Sequence, residues 1–136
     1  MRKIKFRGRQ HNGEWIYGAL IPAEYSWWGV PSIAEKNRRY EVEPETIGQY
    51  TGYKDDEGKE IYEGDILKTL FDEGIRGALV VSFGKNEGSL WGKENYGFYV
   101  KFTEKKYNEN LRQDFLFWHN KEVKVIGNIH DNPDLL

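Results

Sequence analysis

The stretch IRGALVVSF at residues 75–83 is the strongest β-strand signal in the chain, and YGFYVKF at residues 96–102 supplies a partner strand. β-branched and aromatic residues dominate both stretches, as is typical of strands. The unbroken apolar centre at residues 78–81 predicts burial on both faces. We expect a core built from the densest apolar runs of this kind: Val80, Val81, Phe83, Phe98, Val100, Val125, Ile126 and Ile129.

Shorter strand signals surround this pair, separated by Gly, Pro and Asn. They predict strands at 3–7, 14–21, 38–42, 46–51, 61–62, 65–68, 115–118 and 123–129. Residues 22–37 read as a loop, and residues 103–113 are the one weak helical candidate. Asn12-Gly13 is a hairpin turn pair, and residues 55–58 are expected to form an exposed hairpin tip with Gly58 at positive φ.

The composition supports one β-rich domain. The chain has 136 residues, with 38% hydrophobic and 15% aromatic residues, 15 Gly and 4 Pro. Aromatic rings must therefore supply much of the core volume, and the glycines suit short strands joined by tight turns. The prediction is a mainly β, single domain over residues 1–136, with strongly bent sheets and little helix. Residues 60–129 suggest closure as a small SH3-like barrel.

Several classes of protein are disfavoured by residue counts alone. The chain has no Cys, which excludes a disulfide framework, a thiolate metal site and a cysteine nucleophile. A net charge of −2 argues against a dominantly basic nucleic-acid binder. No apolar run approaches the ~18 residues of a membrane span, and the N-terminus lacks a secretory pattern. We therefore expect a cytoplasmic protein that does not contact the membrane.

Charge is unevenly distributed along the chain. Residues 1–39 carry 8 basic and 3 acidic residues, whereas residues 40–68 carry 3 basic and 9 acidic residues. These opposite charges could be matched within one chain or between identical chains. The first reading is structural, and the second predicts a homo-oligomer that weakens with salt.

A basic strand face and an aromatic loop form the one candidate binding surface. Lys3, Lys5, Arg7 and Arg9 alternate along the first strand, and Trp27 and Trp28 lie in the loop at 22–37. Basic residues near aromatics can follow a phosphate backbone and stack on bases. The alternative is structural: a charged strand face that resists edge aggregation and aromatic rings that pack as core.

Catalytic and metal sites have weak support. The serines lie outside any nucleophile-elbow context, and no phosphate-binding glycine loop is present. His130, Asp131 and Asp134 are ligand types, but their spacing is more typical of a turn closing the last strand. The sequence therefore predicts a non-enzyme with no catalytic residue, no metal site and no cofactor.

Two long motifs stand in the middle of the chain, VEPETIGQYTG at residues 42–52 and DEGKEIYEGDI at 56–66. They resemble the pattern of the YopX family of bacteriophage and prophage proteins. IKFR at 4–7 and VIGNIHDNPDLL at 125–136 agree with it, so the resemblance reaches both ends of the chain. Tyr53 and Gly8-Arg9 depart from the pattern, and residues 70–120 match nothing in it. The resemblance implies a β-rich fold, a phage or prophage origin, location in the bacterial host's cytoplasm and self-assembly. It supplies no activity.

Three functional readings follow from these observations, of which the weakest is a small-ligand or carbohydrate binder that uses the loop with Trp27 and Trp28. The first is a self-associating, non-enzymatic protein that works through protein contacts, with itself or with a phage or host protein. The second is a nucleic-acid-binding accessory protein that uses the basic N-terminal strand.

Overall fold

The structure is a computed structural model that describes residues 3–69, 79–86, 95–102, 112–114 and 123–136. Residue contacts divide the chain into two compact units, Met1–Gly52 and Tyr53–Leu136. Both units are built from antiparallel strands, and the helical elements in the described ranges are short 3-10 turns. The mainly β fold with little helix is thereby confirmed. The single-domain boundary of 1–136 stays a prediction.

The first unit is formed by one antiparallel sheet. Its strands are β1 Phe6–Arg9, β2 Trp15–Ile21, β3 Ser32–Glu35, β4 Arg38–Glu41 and β5 Gly48–Lys54, which continues into the second unit. Strand neighbours follow the order β4-β3-β2-β1-β5, and β5 then pairs with β6, Glu60–Tyr62. The 3-10 turns Ala23–Tyr25 and Pro44–Thr46 connect strands. Within the described part of this sheet, β4 is therefore an edge strand.

The second unit contains a sheet of β7 Asp65–Thr69, β8 Leu79–Asn86, β9 Asn95–Phe102, β10 Arg112–Asp114 and β11 Val123–Asn128. The strand order is β10-β9-β8-β7-β11. Consecutive strands β7 to β10 thus pair as a meander, and β11 returns to pair with β7. This order is compatible with the SH3-like barrel suggested by the sequence, and the barrel itself stays a prediction. A 3-10 turn at Pro133–Leu135 follows β11.

Three strand predictions need correction. Residues 32–35, expected within a loop, form β3, because Ile33 is fully buried and pairs opposite Tyr40 in a hairpin. Residues 112–114 form β10, which pairs antiparallel with β9, although residues 112 and 113 belong to the predicted helix. The strand expected from residue 46 begins at residue 48, because Pro44–Thr46 is a 3-10 turn. The predicted strand at 115–118 lies outside the described residues.

Each unit has its own apolar cluster. In the first unit, Ile16, Ile33 and Val42 are buried, and Phe6, Leu20, Tyr40 and Ile47 pack against them. In the second unit the buried residues are Ile61, Leu67, Leu79, Val81, Val100, Val123 and Val125, with Tyr53 and Phe98 packed on them. The predicted core residues Val81, Val100 and Val125 are confirmed.

Burial differs between the strands of the second unit. Adjacent residues are both buried in β7, at Ile66 and Leu67, and in β9, at Tyr99 and Val100. In β8, Val80 is only half-buried, which contradicts the prediction that both faces of this strand are covered.

Ile126 is 39% exposed and lies at a β-bulge, where the pairing with β7 passes from Val125 to Gly127. Ile129 is also only half-buried. Apolar composition alone therefore overstated how much of this sheet is covered.

Phe83 is exposed for a different reason. It lies on the same face as Leu79 and Val81 but further along β8, beyond the buried cluster, and is 43% exposed. Its ring packs edge-on against Phe98, at 4.9 Å between centroids, and against Tyr96, at 5.4 Å. Phe98 itself is half-buried. The predicted core residue Phe83 is therefore part of an aromatic group at the end of the strand pair.

The hairpin between β5 and β6 is organised by a buried carboxylate. Gly58 has φ +83°, as predicted, and residues 56–58 are exposed. Asp55 differs from the prediction because it is only 6% exposed. Its Oδ1 accepts from the N–H groups of Glu57 (2.9 Å) and Lys59 (2.8 Å), and its Oδ2 accepts from Val125 N–H (3.0 Å). One side chain thus joins the hairpin turn to β11.

These contacts set the ionisation of Asp55. Burial by itself raises the pKa of the Asp55 carboxyl. The three backbone hydrogen bonds and the charge of Lys59 lower it, and the pKa lies below its ordinary value of 3.8. The folded state therefore prefers the charged carboxylate more strongly than the unfolded chain does. That preference stabilises the fold above the unfolded pKa and disappears as pH falls through the folded pKa.

Asp55→Asn should lower the free energy of unfolding at pH 7 by about 1–3 kcal/mol, because the charged acceptor of three N–H groups is lost. The difference from wild type should shrink as pH falls below the ordinary Asp pKa. Urea unfolding at several pH values measures this, and Asp56→Asn, at an exposed neighbour, is the control. A pH-independent difference, or equal effects at both positions, would contradict the role given to Asp55.

Val81→Ala should lower the free energy of unfolding by about 2 kcal/mol, because two buried methyl groups are replaced by a cavity. Val80→Ala removes the same atoms from the adjacent, half-buried position and should cost less than half as much. Urea unfolding of both variants gives the comparison. Equal losses would show that β8 is covered on both faces.

Candidate functional site

The basic residues of the first strand have four different environments. Lys3 is exposed, and Lys5 is half-buried with its Nζ 6.0 Å from the centroid of the Tyr17 ring. Arg7 is only 5% exposed, and its guanidinium carbon lies 4.7 Å from the centroid of the Trp15 ring. A buried guanidinium stacked on an aromatic ring contributes to packing. The four cations therefore do not form one continuous exposed face.

Arg9 is held by the acidic segment that follows β4. Its Nε donates to Glu43 Oε1 at 3.1 Å, and its backbone N–H donates to Thr46 Oγ1 at 2.8 Å. In return, the Glu43 N–H donates to the Arg9 carbonyl at 2.8 Å. Both side chains of the ion pair are 23% exposed. At this point, opposite charges of the basic and acidic segments are matched within one unit.

The loop between β2 and β3 exposes three aromatic side chains. Trp27 is 100% exposed, Trp28 is 81% exposed and Tyr25 is 71% exposed. The reading in which these rings pack as core is therefore wrong. We call Tyr25, Trp27 and Trp28 the aromatic loop. Single apolar side chains are common on protein surfaces, but a group of exposed aromatic rings commonly marks a binding surface.

Short-range hydrogen bonds shape the aromatic loop. Tyr25 N–H donates to the Pro22 carbonyl and Ser26 N–H to the Ala23 carbonyl, both at 3.0 Å, which closes a 3-10 turn. Trp28 N–H then donates to Ser26 Oγ at 3.3 Å. Because the backbone of the loop is bonded to itself, the rings project outward instead of folding back onto the sheet.

Cations from the β3–β4 hairpin lie beside the aromatic loop. Arg39 Nη2 donates to the Tyr25 carbonyl at 3.3 Å, and Arg38 and Lys36 are exposed nearby in the chain. The sequence already groups Lys36, Arg38 and Arg39 with these aromatic residues as one basic side, but it does not reveal strand β3, because residues 22–37 read as a loop. Ile33 and Ala34 are adjacent apolar residues, so Ser32-Ile33-Ala34-Glu35 has no period-2 alternation to mark a strand.

The C-terminal group of possible metal ligands is a turn. Asn128 Oδ1 accepts from the N–H groups of His130 (3.0 Å) and Asp131 (2.9 Å), and Asn132 Oδ1 accepts from Asn128 N–H (3.1 Å). These bonds confirm the predicted turn that closes the last strand. In the described ranges, no group of three or more His, Cys, Asp and Glu side chains could hold a metal ion.

Asp65 has a comparable local role next to Gly64. Its buried Oδ2 accepts from Tyr62 N–H at 2.8 Å, and Gly64 has φ +90°. Asp65 thus accepts a backbone hydrogen bond within its own turn. The acidic residues of this segment therefore serve mainly to close turns, as Asp55 does, or to pair with Arg9, as Glu43 does.

The comparisons with known proteins identify the family. The sequence matches the family model described as YopX protein over residues 5–136. The chain belongs to the YopX family, which confirms the resemblance found in its motifs. It is also similar to the crystal structure of protein EF1440 from Enterococcus faecalis, with 23% identity and a TM-score of 0.52 over 100% of this chain and 99% of that chain. This likeness concerns the fold alone.

Two further findings about the chain are negative. No curated protein matches the sequence. Within the part of the chain that the structure describes, no helix is long and apolar enough to cross a membrane.

Arg7→Ala should lower the free energy of unfolding by about 2 kcal/mol, because it removes the stacking on Trp15 and leaves a gap in a buried position. Lys3→Ala, which changes the same charge at an exposed site, should change it by less than about 0.5 kcal/mol. Urea unfolding of the two variants tests the assignment. If both were neutral, Arg7 would belong to an open basic face after all.

Proposed function

We propose that this protein is a phage- or prophage-encoded, non-enzymatic protein that self-associates and acts through protein contacts. The observation that carries the proposal is the aromatic loop, in which Trp27 is fully exposed and Trp28 and Tyr25 nearly so. Tryptophan and tyrosine are the residues most enriched at the energetic centres of protein interfaces, because they bury a large area with few rotatable bonds. Leaving such rings in water is unfavourable, and covering them by a partner removes that cost.

The placement of charge supports contacts of this apolar kind. An oligomer joined by the basic and acidic segments would need those charges to be available, but Glu43 already engages Arg9 within the unit. Assembly through charge would therefore have to use other residues of the two segments, and the aromatic loop adds an apolar contact surface. Apolar contacts strengthen or persist as salt rises, whereas exposed ion pairs weaken.

Nucleic-acid binding is the second candidate. Arg39 lies against the aromatic loop, so exposed rings and a cation occur together, as in surfaces that stack bases and contact phosphates. The original set of Lys3, Lys5, Arg7, Arg9, Trp27 and Trp28 is reduced in this proposal, since Arg7 is buried and Arg9 is paired. The remaining candidates are Lys3, Lys5, Trp27 and Trp28, with Arg39 as an addition.

The double variant Trp27→Ala/Trp28→Ala separates the two candidates. Under the main proposal, the wild type self-associates at micromolar concentration in light scattering, and the double variant weakens association about tenfold or more without changing far-UV circular dichroism. Ile4→Ala, which removes another exposed apolar side chain at 72% exposure, is the control and should associate normally.

A titration with a fluorescently labelled single-stranded oligonucleotide tests the second candidate. Binding that falls with salt and is lost in the double variant, while association is unchanged, would favour nucleic acid. A wild type that is monomeric at high micromolar concentration would overturn the self-association proposal.

A further inference from the structure

The outer edge of β4 has an arrangement of charge that fits a second copy of itself. Arg38-Arg39-Tyr40-Glu41 forms β4, which pairs with β3 on one side in the register Ser32↔Glu41, Ile33↔Tyr40, Ala34↔Arg39 and Glu35↔Arg38. Among the described strands, none pairs with its other side. Its residues are exposed except for Tyr40, which is half-buried against the apolar cluster of the first unit.

The pattern of hydrogen bonds between β3 and β4 shows which backbone groups of β4 face outward. Val42 N–H donates to the Pro31 carbonyl at 3.1 Å, which continues the β3–β4 register by one pair. Antiparallel ladders alternate between hydrogen-bonded and non-hydrogen-bonded pairs. Tyr40 and Arg38 therefore direct their N–H and C=O groups toward β3, and Arg39 and Glu41 direct theirs away from the sheet.

This hydrogen-bond pattern limits how two copies of β4 can pair across a two-fold axis. Antiparallel pairing must place outward-facing residues opposite outward-facing residues, so the axis can pass through any of the four residues of β4. An axis at Arg38, Arg39 or Glu41 sets that residue opposite its own copy, with like charges in contact. An axis at Tyr40 sets Arg39 opposite the partner's Glu41 twice and Tyr40 opposite the partner's Tyr40. Charge therefore selects a single register.

We propose that β4 is a homodimerisation edge, where two copies join antiparallel about Tyr40 with two reciprocal Arg39–Glu41 pairs. The tyrosines face each other at a non-hydrogen-bonded position, where side chains approach most closely, so the apolar face of one sheet continues into the next. Charges of one sign would resist strand addition, whereas opposite signs two residues apart favour it in one register.

The aromatic loop adjoins this edge. Because Arg39 donates to the Tyr25 carbonyl, the loop lies on the side of the sheet that carries the Arg39–Glu41 pairs. A four-residue strand pair is small compared with the ~1,200 Å² that stable interfaces bury, and aromatic rings contribute roughly 150–250 Å² each. The inference rests on the proposed self-association and specifies its geometry: the strand edge sets the register and the rings supply area.

Charge exchange tests the register directly. Arg39→Glu makes both outward-facing residues of β4 acidic, and Glu41→Arg makes both of them basic while keeping the Arg39–Tyr25 bond. Each variant places like charges opposite each other twice and should raise the dimer dissociation constant about tenfold or more in light scattering. The exchanged pair R39E/E41R restores both attractions and should associate within about threefold of wild type. Lys36→Glu changes charge as R39E does, outside the paired strand, and is the matched control.

Mixing the two single variants gives the decisive measurement. Each should be largely monomeric alone, but an equimolar mixture should form a heterodimer, because the acidic edge of R39E then meets the basic edge of E41R. Isotope-labelled R39E and unlabelled E41R allow native mass spectrometry to count one copy of each. Circular dichroism confirms that each variant is folded.

The outcomes separate this inference from the proposed function. If both single variants associate as wild type does, or if the mixture fails to form a heterodimer, β4 is not the dimerisation edge. Self-association lost in Trp27→Ala/Trp28→Ala but unaffected by charge exchange would overturn the edge and leave the proposed function standing. A monomeric wild type would overturn both.

Discussion

The ion pair between Arg9 and Glu43, with the backbone bonds around it, is the interaction on which the functional reading depends. It fixes the end of β1 to the turn at Pro44–Thr46 through a side-chain contact at 3.1 Å and two backbone-linked bonds at 2.8 Å. Partly buried ion pairs with several accompanying hydrogen bonds hold geometry better than exposed ones. Through this contact, charge that could recruit a partner is used to hold the first unit together.

Arg7 likewise contributes its charged side chain to the packing of the first unit. A buried guanidinium over Trp15 is shielded from solvent, so it contributes little to the long-range field that would attract a phosphate backbone. The candidate binding surface therefore lies not on the interior strand β1 but at the edge strand β4. There, exposed aromatics and the charges of β4 occur together, and no contact inside the described part of the unit covers the rings of Trp27 and Trp28.

Polar side chains play the corresponding structural role in the second unit. Asp55 joins the β5–β6 hairpin to β11 through three N–H groups, and Asp65 closes the turn before β7. Few apolar residues are available in this chain, so buried carboxylates that accept backbone hydrogen bonds help to position strands that a larger core would otherwise position. Within the family motif, Asp65 is a residue whose side chain closes a turn.

The sequence by itself determined the β-rich class, the family and the local turns at Asn12-Gly13, Gly58 and Asn128, because these depend on short-range backbone preferences and hydrogen bonds. It also located most strands, since alternation and β-branched composition are local signals. Only the tertiary structure decided that Arg7 is buried, that Phe83 and Ile126 are exposed, and that Trp27 and Trp28 project into solvent. The physical reason is that exposure depends on which strands pair and in which register. That choice is made by contacts between residues far apart in the chain, such as Arg9 with Glu43 and Asp55 with Val125.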